Sequence, residues 1–449
     1  FMIKDMTSGK TLKLILYFSI PLLIGNVFQQ MYNMVDTIIV GRFLGVKALA
    51  AVGSTGSIIF LIFGLILGFT SGLSVLISRY FGANDTDSMK KAIASSIYLC
   101  IYISIFVTIF GVILTKPLLN IMNTPKDIYK DALSYLMVMF LGTFALCFYN
   151  MISGVLRAVG DSKTPLYFLT IACFLNIILD LVFIVNFSMG VSGAAYATVI
   201  SQTISGILCL IYINKKIPLL KLNKDDFKFD KSYYSRHLKI AIPMAFQHSI
   251  VGLGIVIIQG AANKFGSDVV GAYTAASKVE QLVMQPSITF GVAMATYCAQ
   301  NLGANNISRI HEGVKKCAYI NIFIGLLAGF ILSNFGEFFV SLFVSNPSQV
   351  VIEHSVQYLT TVAYFFIPLS LIFVYRNALQ GMGHSFTPTI VCVFELVARA
   401  IVTYSLIPVL GYTALCLGNP AAWLAAFIPL FIVYYKKIKL LLSDKEISC

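Results

Sequence analysis

Two acids stand where a hydrophobic run makes a charge costly. Asp36 lies in QQMYNMVDTIIVG (29–41), and Asp180 lies in FLNIILDLVFI (174–184). A charged side chain at the centre of a membrane span costs about 2.5–3.5 kcal/mol on insertion scales, so each acid needs a proton, a counter-ion or water. Asn176 precedes Asp180 by four residues and shares its helix face. Two carboxylates and a carboxamide opening on one cavity can share a proton or bind a small cation, H⁺ or Na⁺. Three more charges fall inside apolar runs: Glu280, Glu395 and Arg399. Glu395 and Arg399, spaced i, i+4, read as an intramembrane ion pair. Glu280, in SKVEQLVMQP, either faces a cavity in the second half or partners Arg399 or Arg376. Tyr32, Asn33, Asn150, Gln202, Gln259 and Gln285 offer hydrogen bonds either to a substrate cleft or between helices.

The elements that carry these residues follow from composition. Of 449 residues, 58% are hydrophobic and 11% charged. Soluble domains carry about 25% charged residues, so this chain cannot coat a water-facing surface. Mean hydropathy of +0.85 agrees. A soluble enzyme, a nucleic-acid binder, a disordered tail and a coiled coil are excluded as classes. A membrane β-barrel is disfavoured because the apolar stretches are continuous rather than alternating. The expected fold is an all-α polytopic membrane protein. The nine cysteines form no CxxC pair and read as reduced thiols, with Cys449 as the last residue. The first apolar run reads as a span rather than a signal peptide, since no small-residue cleavage site follows it.

Apolar runs between charged or Gly/Pro-rich breaks predict twelve spans, near 13–40, 49–78, 92–114, 130–151, 165–187, 191–213, 238–260, 270–298, 315–335, 355–380, 388–407 and 412–435. With the N-terminus inside, 24 of the 32 Lys and Arg fall on the inner side and seven on the outer, Arg399 lying within a span. That bias places both termini in the cytoplasm and accounts for the +13 net charge without nucleic acid. Counted from Lys13, Asp36 lies about 34 Å along its helix, in the outer half of the first bundle.

The halves repeat. FGAN at 81–84 recurs as LGAN at 302–305, LRAVGDSKTP at 156–165 as LQGMGHSFTP at 379–388, and Ile20-Pro21 as Ile242-Pro243, at offsets of 221 to 223. Six spans per half give a parallel repeat: residues 1–213 and 237–449 as two six-helix lobes, joined by a cytoplasmic linker at 214–236. Such bundles are expected to enclose a cleft and to rock about it. Pro21 and Pro243 break backbone hydrogen bonds at matched places and mark a conformational hinge. At the repeat offset Asp36 maps to Ile257 and Asp180 to Thr403. A fold requirement would have been duplicated, so the unrepeated acids point to function.

QQMYNMVDTIIVGRFLG, ALAAVG at 48–53, GVLRAVGDSKTP at 154–165, GVSGAAYATVISQ at 190–202 and ALQGMGHSFTP at 378–388 together resemble the multidrug and toxic compound extrusion (MATE) family over essentially the whole chain. The Asp in span one with Asn-x3-Asp in span five is similar to its DinF-like prokaryotic branch. The resemblance implies antiport: export of amphipathic, often cationic drugs or metabolites against inward H⁺ or Na⁺. It also implies a cation-coupling cluster of Asp36, Asn150, Asn176, Asp180 and Thr198, with Pro21 as the bend proline of span one. Glu280 and Glu395 match the C-lobe acids of other branches only loosely. No cofactor is expected, no metal beyond Na⁺, and no partner beyond small-molecule substrates and membrane lipid. The chain is expected to act as a monomer in a bacterial or archaeal cytoplasmic membrane. The alternative is a lipid-linked oligosaccharide flippase of the wider superfamily, which would want a strongly basic cavity. An enzyme is not expected, because HExxH, GxSxG and GxxxxGK[ST] are all missing.

Overall fold

In the computed structural model, residues 4–122, 124–342 and 348–447 are described, and Cys449 lies outside them. Among these residues the chain is helical throughout, with fourteen α-helices and no strand. In the first half, α1 (Thr11–Leu44), α2 (Val46–Gly82) and α3 (Thr86–Ile121) are long single helices. They are followed by α4 (Lys126–Leu141), α5 (Thr143–Ala158), α6 (Lys163–Leu181) and α7 (Val191–Lys216). The second half repeats the order with α8 (Lys231–Ala262), α9 (Ser267–Gly303), α10 (Ile307–Ser341), α11 (Gln349–Ala363), α12 (Phe366–Gly381), α13 (Phe386–Leu410) and α14 (Tyr412–Ile447). Ten helices are long and apolar enough to cross a membrane, and two bent pairs raise the number to twelve. The protein is thus a multi-pass membrane protein.

The bent pairs are the fourth and tenth spans, each of which the sequence reads as one apolar run. α4 meets α5 at 45°, and α11 meets α12 at 55°. The first bend falls at Gly142, where a Cβ would run into Val199 of α7. Close approach of α7 requires the missing side chain.

The repeated motifs prove to be helix stops. In FGAN, Asn84 takes φ 57°, Asn84 N–H donates to the Phe81 carbonyl at 3.0 Å, and Asp85 N–H donates to the Tyr80 carbonyl at 3.1 Å. LGAN does the same: Asn305 has φ 55°, and Asn305 and Asn306 donate to the carbonyls of Leu302 and Asn301 at 3.1 and 2.8 Å. This double bond with a left-handed residue satisfies the last carbonyls of a helix. Gly160 and Gly383, with φ 84° and 85°, close α5 and α12 in the same manner. Asp161 then receives the N–H groups of Lys163 and Thr164, at 3.1 and 2.9 Å, and starts α6.

Two compact units result. One takes the described residues up to Met6 and Ile20–His248; the other takes Thr7–Ser19 and the chain from Ser249 onward. The division departs from the expected boundaries in two places. The first turns of α1 group with the second unit, and α8 up to His248 groups with the first. The stretch 214–236, expected to be a linker, packs into the first unit. Ile217 and Leu220 are buried in the core that Leu73, Ala92, Leu156 and Cys209 build between α2, α3, α5 and α7. The eight described cysteines are free and buried.

Candidate functional site

In the first unit, α1, α4, α6 and α7 bring a polar cluster together. The Tyr32 and Thr198 hydroxyls hydrogen-bond at 3.0 Å. Thr198 gives its own proton to the Ala194 carbonyl one turn back, at 3.1 Å, so Tyr32 is the donor between them. Asn176 Nδ2 also donates to Thr198 Oγ1, at 3.4 Å. Tyr32 and Asn176 thus both direct a bond to Thr198 rather than to the acids.

The acceptors are left over. Asp36 on α1 and Asp180 on α6 bring their carboxyl groups within hydrogen-bonding reach of each other. Asp36 Oδ1, both Asp180 oxygens and Asn176 Oδ1 are buried without a donor. Asp180 is 0% exposed and Asn176 is 1% exposed. Two ionised carboxylates cannot donate to one another, so this contact holds only with a proton or a cation between them. Four acceptor oxygens short of donors are the chemistry that H⁺ or Na⁺ satisfies. Among the described residues no group of three or more His, Cys, Asp or Glu forms a metal site. Immediately after Asp180 the helix widens into a π-turn over Val182–Asn186, a deformation frequent at functional sites.

Tyr135, buried on α4, lies close enough to feel both carboxyls. Sequence reading does not single out Tyr135 for the site. Its conversion to a site residue depends on how α4 packs, which no periodicity reveals. The other expected residues scatter. Asn150 donates to the Leu146 carbonyl at 2.8 Å, a bond within its own helix. Asn33 is exposed, and Gln202 sits half-buried one turn beyond Thr198. Pro21 lies inside an unbroken α1 and Pro243 inside an unbroken α8.

The second unit holds a continuous polar chain. Glu395 accepts from Arg376 Nη2 at 2.8 Å and from Arg399 Nη2 at 3.1 Å. The expected Glu395–Arg399 pair is therefore a triad, with Arg376 buried within it. Arg399 Nε donates to Asn419 Oδ1 at 2.9 Å, and Asn419 Nδ2 donates to the Tyr358 hydroxyl at 2.7 Å. Tyr358 donates to Glu280 Oε2 at 2.7 Å, so Glu280 partners neither arginine directly. Gly254 on α8 makes room for Arg399, since a Cβ there would overlap the guanidinium. Gln259 bonds Asn263 at 3.4 Å and lines the adjacent cavity, whereas Gln285 sits half-buried on α9, outside the lining residues.

Comparison with known proteins agrees with this architecture. The MatE family profile matches twice, over residues 21–182 and 243–405, so each match opens at one of the paired prolines. The probable multidrug resistance protein YpnP of Bacillus subtilis is 30% identical, over 84% of this chain and 84% of its own. The probable multidrug resistance protein NorM of Thermotoga maritima is 24% identical, over 95% of this chain and 91% of its own. A solved outward-facing structure of a multidrug resistance MATE family transporter of the MOP superfamily shares the fold. Its TM-score is 0.92 at 24% identity, over 97% of this chain and 98% of that one. With a duplicated family match, a relative of that identity and twelve spans in two repeated halves, the chain belongs to the MATE family of membrane transporters.

Proposed function

We propose that this transporter exports amphipathic, often cationic drugs or metabolites in exchange for inward H⁺ or Na⁺, by alternating access. The supporting observation is the Asp36–Asp180 contact, in which three buried carboxyl oxygens have no hydrogen-bond partner. A cation loaded there joins α1 to α6, and its release leaves two carboxylates that repel. The occupied and empty states thus favour different helix arrangements, which is what coupling requires. The relatives named for multidrug resistance support the cargo class. The bias of Lys and Arg supports both termini in the cytoplasm, in a bacterial or archaeal cytoplasmic membrane. A basic flippase cavity is a poorer fit, because Glu395 is shared by both buried guanidiniums of the second unit.

The test is efflux of a cationic dye from proteoliposomes under an imposed pH gradient and, separately, a sodium gradient. One gradient is expected to drive export, and Asp36→Asn and Asp180→Asn each to abolish the coupled part while the protein still folds. Full coupled transport in both variants would sink the assignment.

A further inference from the structure

The second unit holds a cavity of about 240 Å³ whose wall includes Arg376, Glu395, Arg399, Tyr358, Glu280 and Trp423. Its charges are separated. At one pole two guanidiniums share the single carboxylate of Glu395, which leaves one positive charge over. At the other pole Glu280 is held by the Tyr358 hydroxyl, with Asn419 between Tyr358 and Arg399. Among the described residues the only acceptor that Arg376 meets is Glu395, and its Nε–H is buried without a partner. A guanidinium presents five donors in a fork suited to a second carboxylate. The wall also carries apolar and aromatic side chains, Tyr273, Met284, Ile288 and Phe373 among them.

We propose that this cavity binds an aromatic zwitterion, an amino-carboxylate whose carboxylate sits on Arg376 and whose ammonium sits beside Glu280. A plain cation would satisfy Glu280 and leave the Arg376 donors idle. A plain anion would do the reverse. The proposal rests on the export reading in that the ligand is a cargo of the transporter.

Trp423 is the one tryptophan of the chain, and it lines the cavity, so its emission reports occupancy directly. The experiment titrates detergent-purified full-length protein with three probes: L-phenylalanine, L-phenylalanine amide and 3-phenylpropionate. A saturable emission change with L-phenylalanine is expected, with each truncated probe about tenfold weaker, the worth of one charge-assisted hydrogen bond. Arg376→Lys keeps the charge but loses the fork, and is expected to erase most of the preference over the amide. Glu280→Gln is expected to erase the preference over 3-phenylpropionate instead. Equal binding of amide and amino acid, no saturable change, or equal weakening of all three probes by both variants overturns the proposal. If a variant does not fold, the three probes on the unmodified protein still decide it. Binding needs no gradient, so its failure leaves the Asp36–Asp180 coupling standing, and failed coupling leaves the binding result standing.

Discussion

Asp36 and Asp180, 144 positions apart in the chain, meet carboxyl to carboxyl in the first unit with no donor for three of their oxygens. Buried like charges at this range are unfavourable, so the pair has a built-in demand for a proton or cation. That demand sets the first expectation. Asp180→Asn supplies an amide donor to Asp36 and removes the repulsion. The variant is expected to melt at or above the temperature of the parent in detergent while losing coupled efflux. A lowered melting temperature would mean that the second acid is structural.

Tyr32 holds Thr198 from across the cluster at 3.0 Å. Tyr32→Phe keeps the ring and deletes the donor. A stability loss of about 0.5–1.5 kcal/mol is expected, the usual net value of one hydrogen bond. Thermal melting measures it, and a fall in coupled efflux larger than that loss explains would place Tyr32 in the site rather than only in the packing.

Glu395 neutralises two buried guanidiniums. Glu395→Ala leaves both without their carboxylate, and a cost of about 3–5 kcal/mol is expected, as for other broken buried pairs. Replacing Arg376, Glu395 and Arg399 together by Met is expected to recover most of it, since no charge is then stranded. Melting of the single and triple variants side by side distinguishes a stabilising network from one retained for binding.

Gly254 and Gly271 are both helical glycines of the second unit, but only Gly254 faces a neighbour, the Arg399 guanidinium. Gly254→Ala is expected to destabilise by about 1–3 kcal/mol through overpacking. Gly271→Ala, with nothing within 4 Å of the new carbon, is expected to be neutral or to stabilise by up to about 1 kcal/mol through helix propensity. Opposite signs in paired melts would support the packing at Arg399.

Asp85 caps α3 by accepting from Ser88 N–H at 3.0 Å. The Ser88 side chain and then its backbone hold this carboxyl below the usual carboxylate range. A depressed folded-state value means that the cap contributes above the unfolded value, and that the contribution is lost as pH falls through the folded one. Asp85→Ala is therefore expected to cost about 1 kcal/mol at neutral pH, and the difference from the parent should shrink as pH falls below about 4.

Much of the site was legible because of where its acids stood. Asp36 and Asp180 were conspicuous in apolar runs, and the repeat singled them out by mapping them to Ile257 and Thr403. Tyr135 was not conspicuous, since a tyrosine in an apolar run is ordinary. Asn150 gives one amide N–H to the Leu146 carbonyl of its own helix, a bond that does not mark it as part of the pair. The FGAN and LRAVGDSKTP motifs were readable as a repeat, but their function as helix stops needed the backbone angles of Asn84, Asn305, Gly160 and Gly383.

The chain by itself determined its solvent, its helices and its duplication. Those follow from hydropathy, from the span length a bilayer demands and from residues recurring at one offset, all of which are local or periodic. Tertiary structure alone decided the bends at the fourth and tenth spans, the sharing of Glu395 by Arg376 and Arg399, and the link from Glu280 through Tyr358 and Asn419. Each of those depends on which helix faces which and at what distance. A hydrogen bond reaches only about 3 Å, so partners far apart in sequence are chosen by packing and not by pattern.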